Sequence, residues 1–137
     1  MNLHNSFQNL NWLAILLASV SAFMLGFLWY SLLFAKRWAK ENGITEDSNK
    51  EANMLKIFGL SFLLMVFAAF TLALFIGKAA GLHHGIMIGF HAGLGFAFTF
   101  LGVTYLFERR SLALFLINGC YSVVSLTIMG LIIGVMQ

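Results

Sequence analysis

The chain has 137 residues, 61% of them hydrophobic and only 9% charged, with a formal net charge of +3 and no proline. Water-soluble domains carry roughly a quarter of charged residues, so this balance excludes an ordinary soluble fold and makes lipid the expected solvent. The length suits one compact unit, residues 1–137, and fits no nucleic-acid-binding module; the basic excess is read as topology signal and lipid-headgroup contact, with no nucleic-acid partner.

A bilayer core about 30 Å thick requires roughly 20 apolar residues of helix. Four stretches meet that need, at about 12–34, 54–77, 84–107 and 112–136. Only structures that satisfy their own backbone survive in lipid, so the expected fold is all-α: an integral membrane four-helix antiparallel bundle. Without proline and with 13 glycines, its helices are expected to run uninterrupted, glycine serving close packing.

In the first span no Lys or Arg precedes the apolar run, while Lys36, Arg37 and Lys40 follow it, which marks a retained span rather than a cleaved signal. Ala14, Ala18, Ala22 and Gly26 recur every four residues, a ridge of small side chains that lets helix backbones approach. Ser19, Ser21 and Ser31 are the span's serine hydroxyls, and it lacks the mid-membrane carboxylate common in proton- or cation-coupled exporters. Trp29 and Tyr30 project about 100° apart on a regular helix, so one of the two is expected to reach the bundle interior. Beyond the lipid, Gly43 suits the close of the first helix, and Thr45 suits a cap for the next with Glu46 and Asp47 in its first turn.

The turn from Lys78 to His83 leads into the third span, where Gly81, Gly85, Gly89 and Gly93 form a second small-residue ridge. Such a ridge serves packing within one bundle or a homo-oligomer seam, and both uses are open. His91 is the one ionisable side chain well inside a span, on the same face as His84 and roughly 10 Å below it. A neutral, hydrogen-bonded imidazole is the expected state. His83, His84 and His91 are weak metal candidates, because no acidic or thiol ligand joins them and adjacent histidines on a helix diverge. No metal and no cofactor is expected; a haem would require facing histidines from a second subunit.

Glu108-Arg109-Arg110 forms the last connection, and Ser111 has the chemistry to cap the fourth span. There Asn118, Tyr121, Ser122 and Ser125 share one helical face, which must turn away from lipid. The stripe meets another helix, a ligand or water. Cys120, the only cysteine, is read as a buried thiol. Seven cations (Lys36, Arg37, Lys40, Lys50, Lys56, Arg109 and Arg110) flank the first and third connections and Lys78 alone flanks the other side, so both termini are expected on the non-cytoplasmic face. Trp12 at one rim, and Trp29, Tyr30, Trp38, Tyr105 and Phe107 at the other, match interfacial belts.

The run Gly26-Phe27-Leu28-Trp29-Tyr30-Ser31, then Phe34, Lys36, Trp38, Gly43 and Thr45, resembles the opening of a bacterial membrane-protein family catalogued as domain of unknown function 1761. Phe107-Glu108-Arg109-Arg110, Ile117-Asn118, Tyr121, Ser125 and Met129-Gly130 are similar to its closing segment. That family usually has proline after the Trp-Tyr-Ser and glycine before the first basic residue, where this chain has Leu32 and Ala35. The resemblance implies a four-helix protein of the bacterial inner (cytoplasmic) membrane and draws attention to Trp29, Tyr30, Asn118 and Tyr121, with no activity to carry over.

The spans hold no acid–base pair or nucleophile–base pair of convincing spacing, which points away from an enzyme. The expectation is a non-enzymatic, oligomeric bundle that binds or passes a small or lipid-like molecule through a polar interior of Asn118, Tyr121, Ser125, His91, Trp29 and Tyr30. The alternative is an accessory or assembly subunit of a larger membrane complex, its polar stripe a clasp between helices.

Overall fold

The structure, a computed structural model, describes residues 3–137. Its helices are α1 (Leu3–Gln8), α2 (Trp12–Leu33), α3 (Ala35–Asn42), α4 (Glu46–Glu51), α5 (Met54–Ile76), α6 (Gly81–Phe107) and α7 (Leu112–Met136), with no strand among the described residues. Helices α2, α5, α6 and α7 are each long and apolar enough to cross a membrane, with mean hydropathy of 1.8 or more. The chain is an all-α, multi-pass membrane protein.

Three of the spans begin with the same device. The side chains of Asn11, Asn53 and Ser111 accept from the backbone N–H of Ala14, Lys56 and Leu114, each at 3.1 Å, which satisfies a donor that the first turn of a helix leaves free. Helix α6 has no such cap: it starts three residues earlier than its hydropathy suggests, at Gly81, whose φ of +80° follows a turn through Gly77 at +74°. His83 therefore lies in the helix rather than in the turn. Gly43, in the left-handed conformation at φ +64°, closes α3 and not the first span, which ends at Leu33. Thr45 caps as expected, accepting from Ser48 N–H at 3.3 Å.

The spans are not uninterrupted, although proline is absent. Leu28–Leu33 in α2 and Gly93–Phe98 in α6 wind as π-helix, one residue wider per hydrogen bond. In α6 the Thr99 hydroxyl donates to the carbonyls of Gly95 (2.8 Å) and Phe96 (3.1 Å), supplying partners where the regular ladder is broken.

Helix α7 is the centre of the fold and packs against α2, α5 and α6. Its seam with α6 is made of glycine. A Cβ placed on Gly85 would run into the Gly130 carbonyl, one on Gly89 into the Leu126 carbonyl, and one on Gly93 would sit 2.7 Å from Val123 Cα. Facing them, a Cβ on Gly134 would lie 2.6 Å from the Gly81 carbonyl. Backbones this close gain dispersion and weak Cα–H contacts, which replace the hydrophobic drive that lipid removes. Gly81 departs from the expected ridge: a Cβ there meets nothing, and the positive φ is what requires glycine.

The alanine ridge of α2 is fully buried at Ala14, Ala18 and Ala22, in one cluster with Ala69 and Ala73 of α5 and Met129 and Ile133 of α7. At the Lys78 end, the Gln137 amide donates to the carbonyls of Ala73 and Gly77, both at 2.9 Å, and Asn11 Nδ2 donates to the Met136 carbonyl at 2.8 Å. Helices α5 and α6 flank α7 and leave an open groove between them.

Candidate functional site

Trp29 and Tyr30 both reach α7, against the expectation that only one does. Trp29 Nε1–H donates to the Ile117 carbonyl at 3.0 Å, and Tyr30 O–H donates to Asn118 Oδ1 at 2.7 Å. The π turn is the reason: its wider winding brings two consecutive side chains onto consecutive residues of the neighbouring helix. Asn118 then passes the connection on, its Nδ2 donating to the Tyr105 hydroxyl of α6 at 2.6 Å. One amide thus joins three spans. Tyr105, read from sequence as an interfacial anchor, is a member of this clasp, and no periodicity within its own helix signals that role.

Tyr121, one turn beyond Ile117, donates to the Ala22 carbonyl at 2.9 Å. Gly26 makes the room, since a Cβ there would come within 3.0 Å of the Tyr121 hydroxyl. The last member of the small-residue ridge in α2 is therefore spent on admitting a phenol rather than on helix-to-helix contact. Trp29, Tyr30 and Trp38 surround the same point, with ring centroids 5.1 Å apart for Tyr30–Tyr121 and 5.5 Å for Tyr30–Trp38. Ser122 returns its hydroxyl to the Asn118 carbonyl of its own helix. Ser125 is buried beside Tyr121, and its Oγ lacks a hydrogen bond of good geometry among the described residues.

The structure brings Trp29, Tyr30, Asn118, Tyr121 and Ser125 together and places His91 elsewhere. His91 lines the groove between α5 and α6, a space of about 640 Å³ whose walls include Thr71 and Phe75 on one side, His91, Ala97 and Phe100 on the other, and Leu126 of α7 as floor. The lining is almost wholly apolar, and the size is within the range of small-molecule sites, about 300–1,000 Å³. Thr71 spends its hydroxyl on the Phe67 carbonyl at 2.9 Å. His91 Nδ1 lies 2.7 Å from the Met87 carbonyl. A carbonyl only accepts, so Nδ1 carries the proton. His83 and His84 are exposed near the start of α6, and no group of three or more His, Cys, Asp or Glu side chains that could hold a metal occurs among the described residues. Cys120 is exposed on the outer surface of α7 rather than buried, because Asn118 and Tyr121 take the inward face.

At the basic rim α3 folds back against the start of α7. Glu41 pairs with Arg37 at 2.8 Å and lies beside the Ser111 hydroxyl; that hydroxyl first, and the guanidinium second, hold its carboxyl below the usual carboxylate range. The carboxylate also sits near the first turn of α7, where a helix favours negative charge.

In comparison with known proteins, a family model described as "Protein of unknown function (DUF1761)" matches residues 13–134. No curated protein matches the chain. No solved structure matches it either.

Proposed function

The chain belongs to the DUF1761 family of proteins of unknown function, and we propose that it is a non-enzymatic membrane protein that binds a lipid-like molecule entering sideways from the bilayer. The observation that carries this reading is the contrast between a filled polar interior and an open apolar groove. Asn118, Trp29, Tyr30 and Tyr121 are each hydrogen-bonded to one another, to Tyr105 or to backbone carbonyls, which leaves the buried Ser125 Oγ as the interior's one wholly unpartnered side-chain atom among the described residues and little for a solute to bind. The groove between α5 and α6 opens to lipid and offers about 640 Å³. The expected ligand class is kept, and its place moves from the bundle interior to this lateral cleft.

The setting we propose is the bacterial inner membrane with both termini on the non-cytoplasmic side, supported by seven rim cations against one. The rival reading, an accessory or assembly subunit of a larger membrane complex, draws on the same filled clasp and predicts co-purifying chains.

Native mass spectra of the protein released from a mild detergent test the choice. A reproducible extra mass is expected on the wild type, retained in Asn118→Ala and lost in Ala97→Trp, which fills the groove from α6. Bare wild-type protein, or a mass indifferent to Ala97→Trp, would refute the groove as the binding place.

A further inference from the structure

The groove's imidazole has a whole ring nitrogen with bonding capacity left over. His91 Nδ1 is committed to the Met87 carbonyl, and Nε2 has no hydrogen-bond partner among the described residues. With the proton fixed on Nδ1, the Nε2 of the neutral imidazole is an acceptor and not a donor. Thr71, the other polar side chain lining the groove, spends its one donor on its own helix and keeps only a hydroxyl oxygen, held against that helix, as an acceptor.

Depth gives that acceptor its meaning. His91 stands ten residues into α6, roughly 15 Å along an axis of about 40 Å, well below the headgroups. Phospholipids carry no hydrogen-bond donor at this level, and an acceptor left bare in hydrocarbon is costly. A ligand that brings an O–H group satisfies it; one that brings only an ether or a hydrocarbon does not.

We propose that His91 Nε2 is a specificity-determining acceptor, and that the groove takes an apolar molecule bearing a hydroxyl, such as a long-chain isoprenoid alcohol, with the hydroxyl donating to the imidazole and the chain lying along the phenylalanines of α5 and α6. This rests on the groove reading above and names the ligand's chemistry. The rejection of a matched ether follows from the same rule by which a site built around a hydrogen bond discriminates against the analogue that lacks it.

The test uses the whole protein in detergent with two probes, farnesol and farnesyl methyl ether, and counts bound ligand by native mass spectrometry. Wild type is expected to retain the alcohol roughly tenfold better than the ether, and His91→Phe to bind both at the ether level. In protein labelled with ¹⁵N-histidine, farnesol alone is expected to shift the Nε2 resonance of His91, a readout that needs no variant to fold. Equal retention of both probes by wild type, with binding still lost in Ala97→Trp, overturns hydroxyl selection while the groove reading stands. Failure of both probes to bind, carried phospholipid as the sole occupant, or a second copy of the chain seated in the groove overturns this inference, and the first of these overturns the groove reading for this ligand class as well.

Discussion

Toward the basic rim, residues 117–121 of α7 meet their neighbours through side chains, with an amide, three phenols and an indole held by bonds of 2.6 to 3.0 Å. Toward the other rim, residues 123–134 of the same helix meet α6 through bare backbone, where Gly130 and Gly134 face Gly85 and Gly81. The two regions solve one problem: lipid provides no hydrophobic drive between helices, so contact must come from atoms that touch closely or from polar groups that satisfy each other. They differ in tolerance. A polar clasp loses a bounded amount when one partner goes, because bonds within membranes contribute modestly. A backbone seam has no slack.

The largest effect is accordingly expected in the glycine seam. Gly85→Leu forces α6 and α7 apart, and its denaturation midpoint in mixed micelles should fall by the equivalent of about 3 kcal/mol, the upper end of ordinary overpacking. A loss no greater than that of a clasp variant would show that the seam is looser than its geometry. Asn118→Ala comes second: it removes one bond to Tyr30 and leaves the Tyr105 hydroxyl without its donor, for a loss of roughly 1–3 kcal/mol in the same assay. Combining it with Tyr30→Phe should cost little more than Asn118→Ala alone, since the two remove a shared bond; full additivity would mean that the bond contributes nothing.

The smallest effect is expected where α3 meets α7. The Glu41 pKa is depressed in the folded protein, so its contribution is present at neutral pH, above the unfolded value, and disappears as pH falls through the folded value. Hydrogen exchange over residues 35–43 should quicken below the usual carboxylate range while α5 to α7 stay protected. In Glu41→Gln the quickening should already be present at neutral pH; unchanged protection there would remove Glu41 from the docking of α3.

This contrast also explains what was legible in the sequence. Spans, caps and small-residue ridges are local signals: hydropathy located four helices, Ser111 marked the start of α7, and the spacing of Gly85, Gly89 and Gly93 marked a close face. The stripe of Asn118, Tyr121 and Ser125 pointed inward for the reason given, that lipid offers such groups no partner. What escaped depends on pairs far apart in the chain. Tyr105 looked like a rim anchor because its partner is on another helix, and Gln137 gave no hint that it ties onto α5. His91 was grouped with the polar interior, whereas it borders a lateral groove, bonded to its own helix. The two π turns left no mark because glycine and aromatic residues are also at home in regular membrane helices.

The tie made by Gln137 bears on the order in which the protein is built. The carbonyls of Ala73 and Gly77 close α5, and the Asn11 amide opens α2, yet the partners of all three groups lie at the far end of α7. Synthesis runs from the N-terminus, so α2, α5 and α6 are made while those groups still face water or headgroups at the membrane surface. Insertion of α7 then completes both earlier helices at once, so a ribosome-bound intermediate with three spans should remain open to protease at residues 73–80 until the fourth arrives.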